Sequence, residues 1–384
     1  MLPRMKLLVA LLVTSFAAVV VAQPIPPASI RDKEIGWIQV FGPGKPRAAV
    51  TVDHRTYSPA QLAFTDLFRT WIQATYIPKG GLGDGVLQLS EKLTPYNQNT
   101  AALPQSYGAY ARIYTDLKYG PNQKIERASN SHIVWSLLAN GFMGEAADNI
   151  STPQRYYFTL PLLVQQSNGS PELEKALDLS RHPVLGRFPS YLQRNTVNGN
   201  RKWILMAKDH QLPYRQLTKG EYLAAIEAAV IRLNESEMTK LLGDANKRFI
   251  ELQMPDTKAK HAKRLAVLEA NKARYQNRFS EPAEISTTAP DGMLENSSSA
   301  DVFEGNGSAG PRFKVYTIDP EVVARAAKSD QPLWILIGWT AEILTDPVSK
   351  HLHEAVIKRF NFEYVYNYLF EPEKVKGIAY TPLS

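Results

Sequence analysis

The chain has 384 residues, 44 Lys and Arg against 37 Asp and Glu, a formal charge of +7, 44% apolar composition and no cysteine. Its charged and aromatic fractions, 21% and 10%, are those of a globular protein and exclude a collagen-like repeat, a coiled-coil rod and global disorder. The lack of cysteine excludes disulfides, thiolate zinc sites, iron–sulfur clusters and a cysteine nucleophile.

Arg4 and Lys6 precede an apolar run from Leu7 to Val21, and Val20 and Ala22 occupy the small positions before a cut ahead of Gln23. Residues 1–22 therefore read as a secretory signal peptide, cleaved after Ala22. The run is shorter than the roughly 20 residues that cross a bilayer, and no later run is as apolar, so no transmembrane segment is expected after cleavage. The expected product is secreted or periplasmic. Asn-x-Ser sequons stand at Asn149, Asn168, Asn234, Asn296 and Asn306, but an exported chain without cysteine fits a bacterial envelope better than a eukaryotic secretory pathway.

Residues 23–165 read as an α+β N-terminal part. A Pro-rich start, Gln23 to Ser29, leads into short strands at Glu34 to Phe41 and Ala48 to Val52, separated by a turn at Gly42 to Pro46. Ser58 and Pro59 open a helix whose apolar stripe is Phe64, Leu67, Phe68, Trp71 and Ile72. The glycine-rich loop Lys79 to Gly85 follows a helix instead of leading a strand into one, and no Gly-Lys-Ser/Thr closes it, so it reads as a surface crossing and not a phosphate cradle. From Ala109 to Tyr119 the period changes to alternation, with Tyr110, Arg112 and Tyr114 on one face. Ser131 to Ala139 and Arg155 to Leu163 read as further strands, and Gly120-Pro121-Asn122 as a turn between antiparallel partners.

Residues 166–280 read as a strand plus long helices. A short helix spans Pro171 to Leu179 and a strand Lys202 to Ala207; Thr218 and Glu221 then form a capping box ahead of a long amphipathic helix. That helix is expected to reach Gln253, break at Pro255 and restart to about Arg278. Thr257 to Arg278 is strongly basic, and residues 281–311 that follow hold six acids and no Lys or Arg up to Gly310. They read as an acidic disordered linker or loop that neutralises the basic helix. Nucleic acid is not expected as a partner, because no aromatic residue interleaves the basic ones before Tyr275.

Pro213-Tyr214, the run Thr218-Lys219-Gly220-Glu221-Tyr222-Leu223 and the loop Pro78-Lys79-Gly80-Gly81 resemble segments of exported bacterial proteins of no assigned activity. The resemblance covers about a third of the chain. It implies a bacterial exported protein and carries no catalytic residue to transfer.

Residues 312–384 read as an αβ segment that packs on the preceding body: a strand at Arg312 to Ile318, a helix opened by Asp319-Pro320, the apolar strand Leu333 to Thr340 and a helix from Ser349 to Arg359. Phe360, Phe362, Tyr364, Tyr366, Tyr368 and Phe370 then fall at every second position. As a strand this puts six aromatic rings on one face. Burial under a helix is the favoured reading. The alternative is an exposed platform in which Tyr364, Tyr366 and Tyr368 stack on a ligand; the four-residue spacing of Phe362, Tyr366 and Phe370 also permits a helix.

No catalytic motif or cofactor site is found. His353-Glu354 starts like a zincin helix, but Ile357 stands where the second histidine must be, and His351 lies on another helical face. Asn306 to Gly310 lacks the first glycine of a nucleophile elbow. Asp178, Ser180 and His182 are neighbours in sequence, which says nothing of a triad. The pairs Glu371 and Glu373, and Asp53 and His54, offer carboxylates without a readable separation. The expected fold is α+β, mainly antiparallel sheet with a long helical hairpin and a C-terminal αβ segment returning across a flexible loop. The expected function is a noncatalytic binding or envelope-interaction protein, with polysaccharide or another envelope protein as partner; the alternative is a secreted hydrolase of glycans or peptides.

Overall fold

The structure, a computed structural model, describes residues 25–40, 47–52, 55–89, 103–141, 150–152, 155–160, 171–196, 199–286, 301–304 and 312–384. Residues 1–22, expected as a signal peptide, residues 42–46, expected as a turn, Asp53-His54 and the 306–310 segment lie outside them, as do all the sequons except Asn234. The architecture is α+β, and every pairing between described strands is antiparallel.

Chain order begins with a turn of helix, α1 (Pro27–Ile30), a hairpin of β1 (Val50–Val52) and β2 (Arg55–Tyr57), and α2 (Pro59–Thr75). Ser58 starts α2 through a capping box with Gln61, and Pro59 at the first position costs no hydrogen bond there. Next come β3 (Leu82–Leu89), β4 (Tyr107–Tyr114), the small hairpin of β5 (Leu117–Tyr119) and β6 (Ile125–Arg127), β7 (His132–Ala139) and β8 (Tyr157–Leu160). After α3 (Pro171–Ala176) the chain forms β9 (Ser190–Thr196), β10 (Gly199–Ala207), β11 (Tyr214–Gln216) and the long helices α4 (Lys219–Leu242) and α5 (Lys247–Tyr275). It closes with β12 (Glu284–Ile285), β13 (Phe313–Ile318), α6 (Pro320–Lys328), β14 (Trp334–Thr340), α7 (Pro347–Arg359) and α8 (Phe362–Phe370).

The main sheet has the order β3-β4-β7-β14-β10-β9, so a strand from the C-terminal part sits inside a sheet built by the N-terminal part. A second sheet centres on β13, with β8 on one edge and β11 and β12 on the other. One face of the main sheet carries Ala109, Ala111, Ile113, Trp135, Leu137, Ile204, Met206, Ile337 and Trp339, and it is buried beneath the apolar sides of α2, α7 and α8. Alternation in the strands and helical period in their covers make this two-layer core. The hairpin of α4 and α5 packs Tyr222, Leu223, Ile226 and Val230 on Val267, Leu268 and Tyr275, and joins the second sheet through Ile285, Phe313 and Val315.

Four expectations are corrected. The glycine-rich stretch does not cross the surface: Gly80, Gly81, Leu82 and Gly83 are buried, and the chain enters β3 there. Glycine is required because a Cβ on Gly83 would lie 2.5 Å from the Trp37 ring, which packs on that backbone. In the strand expected at Glu34 to Phe41, the described residues 34–40 correspondingly form isolated bridges to it, Glu34 to Lys79 and Trp37 to Gly83. The long helix breaks at Gly243 to Asn246, where the Asn246 side chain caps α5, and Pro255 lies inside α5. That part of α5 is exposed, so water can satisfy the carbonyl that proline leaves without a donor.

The stretch expected as an acidic linker contributes to the core wherever it is described. Ala283, Ile285, Val302 and Phe303 are buried against the hairpin, and the Asp301 carboxylate accepts from the Tyr275 hydroxyl and pairs with Arg274 at 2.6 Å. Glu281 pairs with Lys219 and Arg278. Lys260, Arg264 and Lys272 of α5 are met by α4, through Glu237 and Glu227. The composition of 281–311 concealed these anchors because four apolar residues spaced far apart have no local period.

The aromatic run is a helix, not a strand. The Asn361 side-chain oxygen accepts from the Tyr364 amide as a cap, and the every-second spacing coincides with an i, i+4 spacing once the intervening Val365 and Leu369 are counted as apolar. Tyr364 and Tyr368 stack on each other and turn their edges to Trp71 of α2, while Tyr366 faces Phe188 and is packed by Phe370. α8 is therefore apolar nearly all round and is buried on two sides.

Candidate functional site

The aromatic residues expected to bind a ligand are placed in the core: Tyr364 and Tyr366 are buried and Tyr368 is half-buried. The Tyr364 hydroxyl donates to the Ile378 carbonyl, and Tyr366 is stacked by His210 and covered by Arg187. A flat exposed row of rings does not exist there, because a helix distributes side chains around its axis.

The histidines and the local acid clusters are structural as well. His353 Nδ1 accepts from the Trp339 indole at 3.1 Å, and His351 pairs with Asp32. The Ser180 amide and hydroxyl both donate to Asp178, while His182 Nδ1 accepts from the Val184 and Leu185 amides, so these three build turns and no triad. Asn234 donates no special chemistry either: its oxygen accepts from Arg264. Among the described residues no three His, Asp or Glu side chains gather where they could hold a metal ion.

Polar groups converge instead on the face of the main sheet opposite α2, α7 and α8. One end of this face is covered by the β5–β6 hairpin and Ile25, which bury Leu82 and Tyr114. The other end, Leu138, Leu205 and Leu336, is covered by α6 through Ala326 and Val322. Between the two covers lie two rungs of the sheet. The first reads Asp84, Arg112, Val134, Thr340, Arg201 and Gln193 across β3, β4, β7, β14, β10 and β9. The second reads Val86, Tyr110, Ser136, Gly338, Trp203 and Tyr191.

Each arginine of this band lies on an aromatic ring of its own strand, two residues away and hence on the same face. Arg112 sits 5.2 Å from the Tyr110 ring centre and donates to the Tyr110 hydroxyl at 2.6 Å. Arg201 sits 4.2 Å over Trp203 and donates to Ser136 Oγ at 3.2 Å. Trp203 itself lies flat in the space above Gly338, where a Cβ would come 2.1 Å from the ring, and its indole donates to Gln193 at 2.8 Å. Since Tyr110 and Ser136 are direct partners across β4 and β7, the two guanidinium groups end at one cross-strand pair. A third, Arg127, donates to the Tyr114 hydroxyl one rung along. Asp84 is opposite Arg112 in register, yet the two form no ion pair among the described residues.

Guanidinium groups stay charged at any accessible pH. The aromatic stacking and hydroxyl contacts fix their planes and leave N–H edges suited to a carboxylate or phosphate. Tyr110, Arg112 and Arg201 are half-exposed, while the floor residues Ser136 and Thr340 are buried beneath them. The sequence holds a signal for this band in Tyr110-x-Arg112 and Arg201-x-Trp203, aromatic and arginine two apart on a strand. Reading it requires knowing that five strands separate 112 from 201 in sequence while two separate them in the sheet. No family model, no curated protein and no solved structure matches the chain.

Proposed function

We propose that this is an exported binding protein of the bacterial envelope whose ligand is an anionic polysaccharide held across the arginine band. The export part of the reading rests on residues 1–22, with cleavage after Ala22. The observation that carries the ligand class is that Arg112 and Arg201 donate to the two members of one cross-strand pair, Tyr110 and Ser136, which supports a row of oriented cations suited to carboxylates or phosphates repeating along a chain. The chain also lacks cysteine, and among the described residues no helix is long and apolar enough to cross a membrane.

The test is calorimetric titration with polygalacturonate oligomers, against uncharged dextran of similar length. Saturable binding of the acidic oligomer is expected, weakened about tenfold by each of Arg112→Ala and Arg201→Ala and falling with added salt. Equal affinity for the neutral polymer, or an unchanged affinity in the double variant, would remove the band as the site.

A further inference from the structure

The opposite face of the same strand holds a second polar arrangement, unrelated to anion binding. Lys202 points to the helix-covered side of β10 and is only 6% exposed. Its amine donates to Ser190 Oγ at 3.1 Å, and among the described residues no carboxylate lies within ion-pair distance of it. The ladder explains the contact: Ser190 pairs with Ile204 and Leu192 with Lys202, so Ser190 and Lys202 are diagonal neighbours on one face. Ser190 opens the edge strand β9 and is half-buried.

A buried amine with a hydroxyl for its hydrogen-bond partner is unusual, because a charged lysine without a counter-ion is strongly disfavoured away from water. We propose that Ser190 and Lys202 form a serine–lysine nucleophile pair that accepts acyl groups from small carboxylic esters. In the first step the neutral Lys202 amine takes the Ser190 hydroxyl proton while Oγ bonds to the ester carbonyl carbon. The carbon–alkoxide bond breaks, and the alcohol leaves with the proton returned by Lys202. Water, deprotonated by the same amine, then attacks the acyl-serine, releases the carboxylic acid and restores Ser190.

The surroundings support an amine that can act as a base. Burial pushes Lys202 down to about 8, with Asp178 acting in the opposite sense. Trp339 of β14 stands directly opposite Lys202, and His353 of α7 faces the same space. Burial pushes His353 down to about 4, against the pull of Glu354 and with a smaller contribution from Lys202, so at neutral pH the imidazole carries no charge. Asp178 is held ionised by the Ser180 amide and hydroxyl, and Arg181 also favours its charge. Lys202 is thus an amine lowered by burial, linked to the Asp178 charge and hydrogen-bonded to the Ser190 hydroxyl.

The test is labelling of the full chain with diisopropyl fluorophosphate between pH 6 and 10, read by intact mass and peptide mapping. In this reaction Ser190 Oγ bonds to phosphorus, fluoride leaves and Lys202 takes the hydroxyl proton. One adduct, on Ser190, is expected, with a rate that rises through about pH 8 and then levels. Lys202→Met should slow it at least about a hundredfold, with the melting temperature measured alongside. The proposal is overturned by no adduct on Ser190 in the folded wild-type chain, by a rate that climbs with hydroxide without levelling, or by a folded Lys202→Met chain that labels at the wild-type rate. The first two readouts use the wild-type chain alone and decide the matter even where the variant does not fold.

Discussion

The sheet body and the helical hairpin are stabilised by different physics. In the body, α2, α7 and α8 cover the sheet with interlocking rings: Trp71 meets Phe68, Tyr364, Tyr368 and Tyr380 within 6.2 Å, and Trp135 meets Phe360 at 5.5 Å. The hairpin has such a seam only at its root, near Tyr222 and Tyr275. Farther out it is clasped by Glu237, which receives Lys260, His261 and Arg264, and beyond the clasp Leu242, Phe249 and Leu252 are exposed. A helix pair leaving a sheet has no third layer to bury apolar side chains, so charge replaces ring packing with distance from the body.

The largest effect should therefore fall in the body. Tyr366→Ala is expected to cost about 3 kcal/mol and lower the melting temperature by several degrees, whereas Asn367→Ala, half-buried next to it, should be mild. Equal losses at the two positions would mean that α8 is not anchored by its rings. At the root of the hairpin, Thr218→Ala removes the cap that receives the Glu221 amide and should cost about 1 kcal/mol in urea unfolding. A loss as large as that at Tyr366 would erase the contrast.

The smallest effect belongs to the clasp, and pH sharpens it. Burial pushes the Glu237 carboxyl up, but hydrogen bonds from Arg264, Lys260 and His261 outweigh it and hold it at about 2. A carboxyl lowered on folding stabilises fully above its ordinary value near 4.5 and loses that contribution as pH falls toward about 2. Hydrogen exchange in residues 233–264 should thus accelerate on acidification below about pH 4.5, ahead of the sheet. Glu237→Gln should cost no more than about 1 kcal/mol, since the group is partly solvated, and should flatten that dependence. Uniform acceleration in sheet and hairpin would show that one cooperative unit holds both.

Local chemistry was readable wherever one segment contains its own partners. The Ser58 and Thr218 caps, the alternation of β4 and β7, the turn between β5 and β6, and the Asp319 start of α6 all depend on residues a few positions apart. So the chain by itself determined its α+β class, most of its elements and the antiparallel pairing of successive strands. Tertiary structure alone decided the rest. An aromatic every second residue satisfies both the strand and the helix period, and only the space between α2 and Phe188 selected the helix. Phe303, Ala283 and Ile285 reveal their burial only once the hairpin stands beside them. The convergence of Arg112 and Arg201 on the Tyr110–Ser136 pair arises because β14 from the C-terminal part enters between β7 and β10, a long-range pairing that no local period encodes.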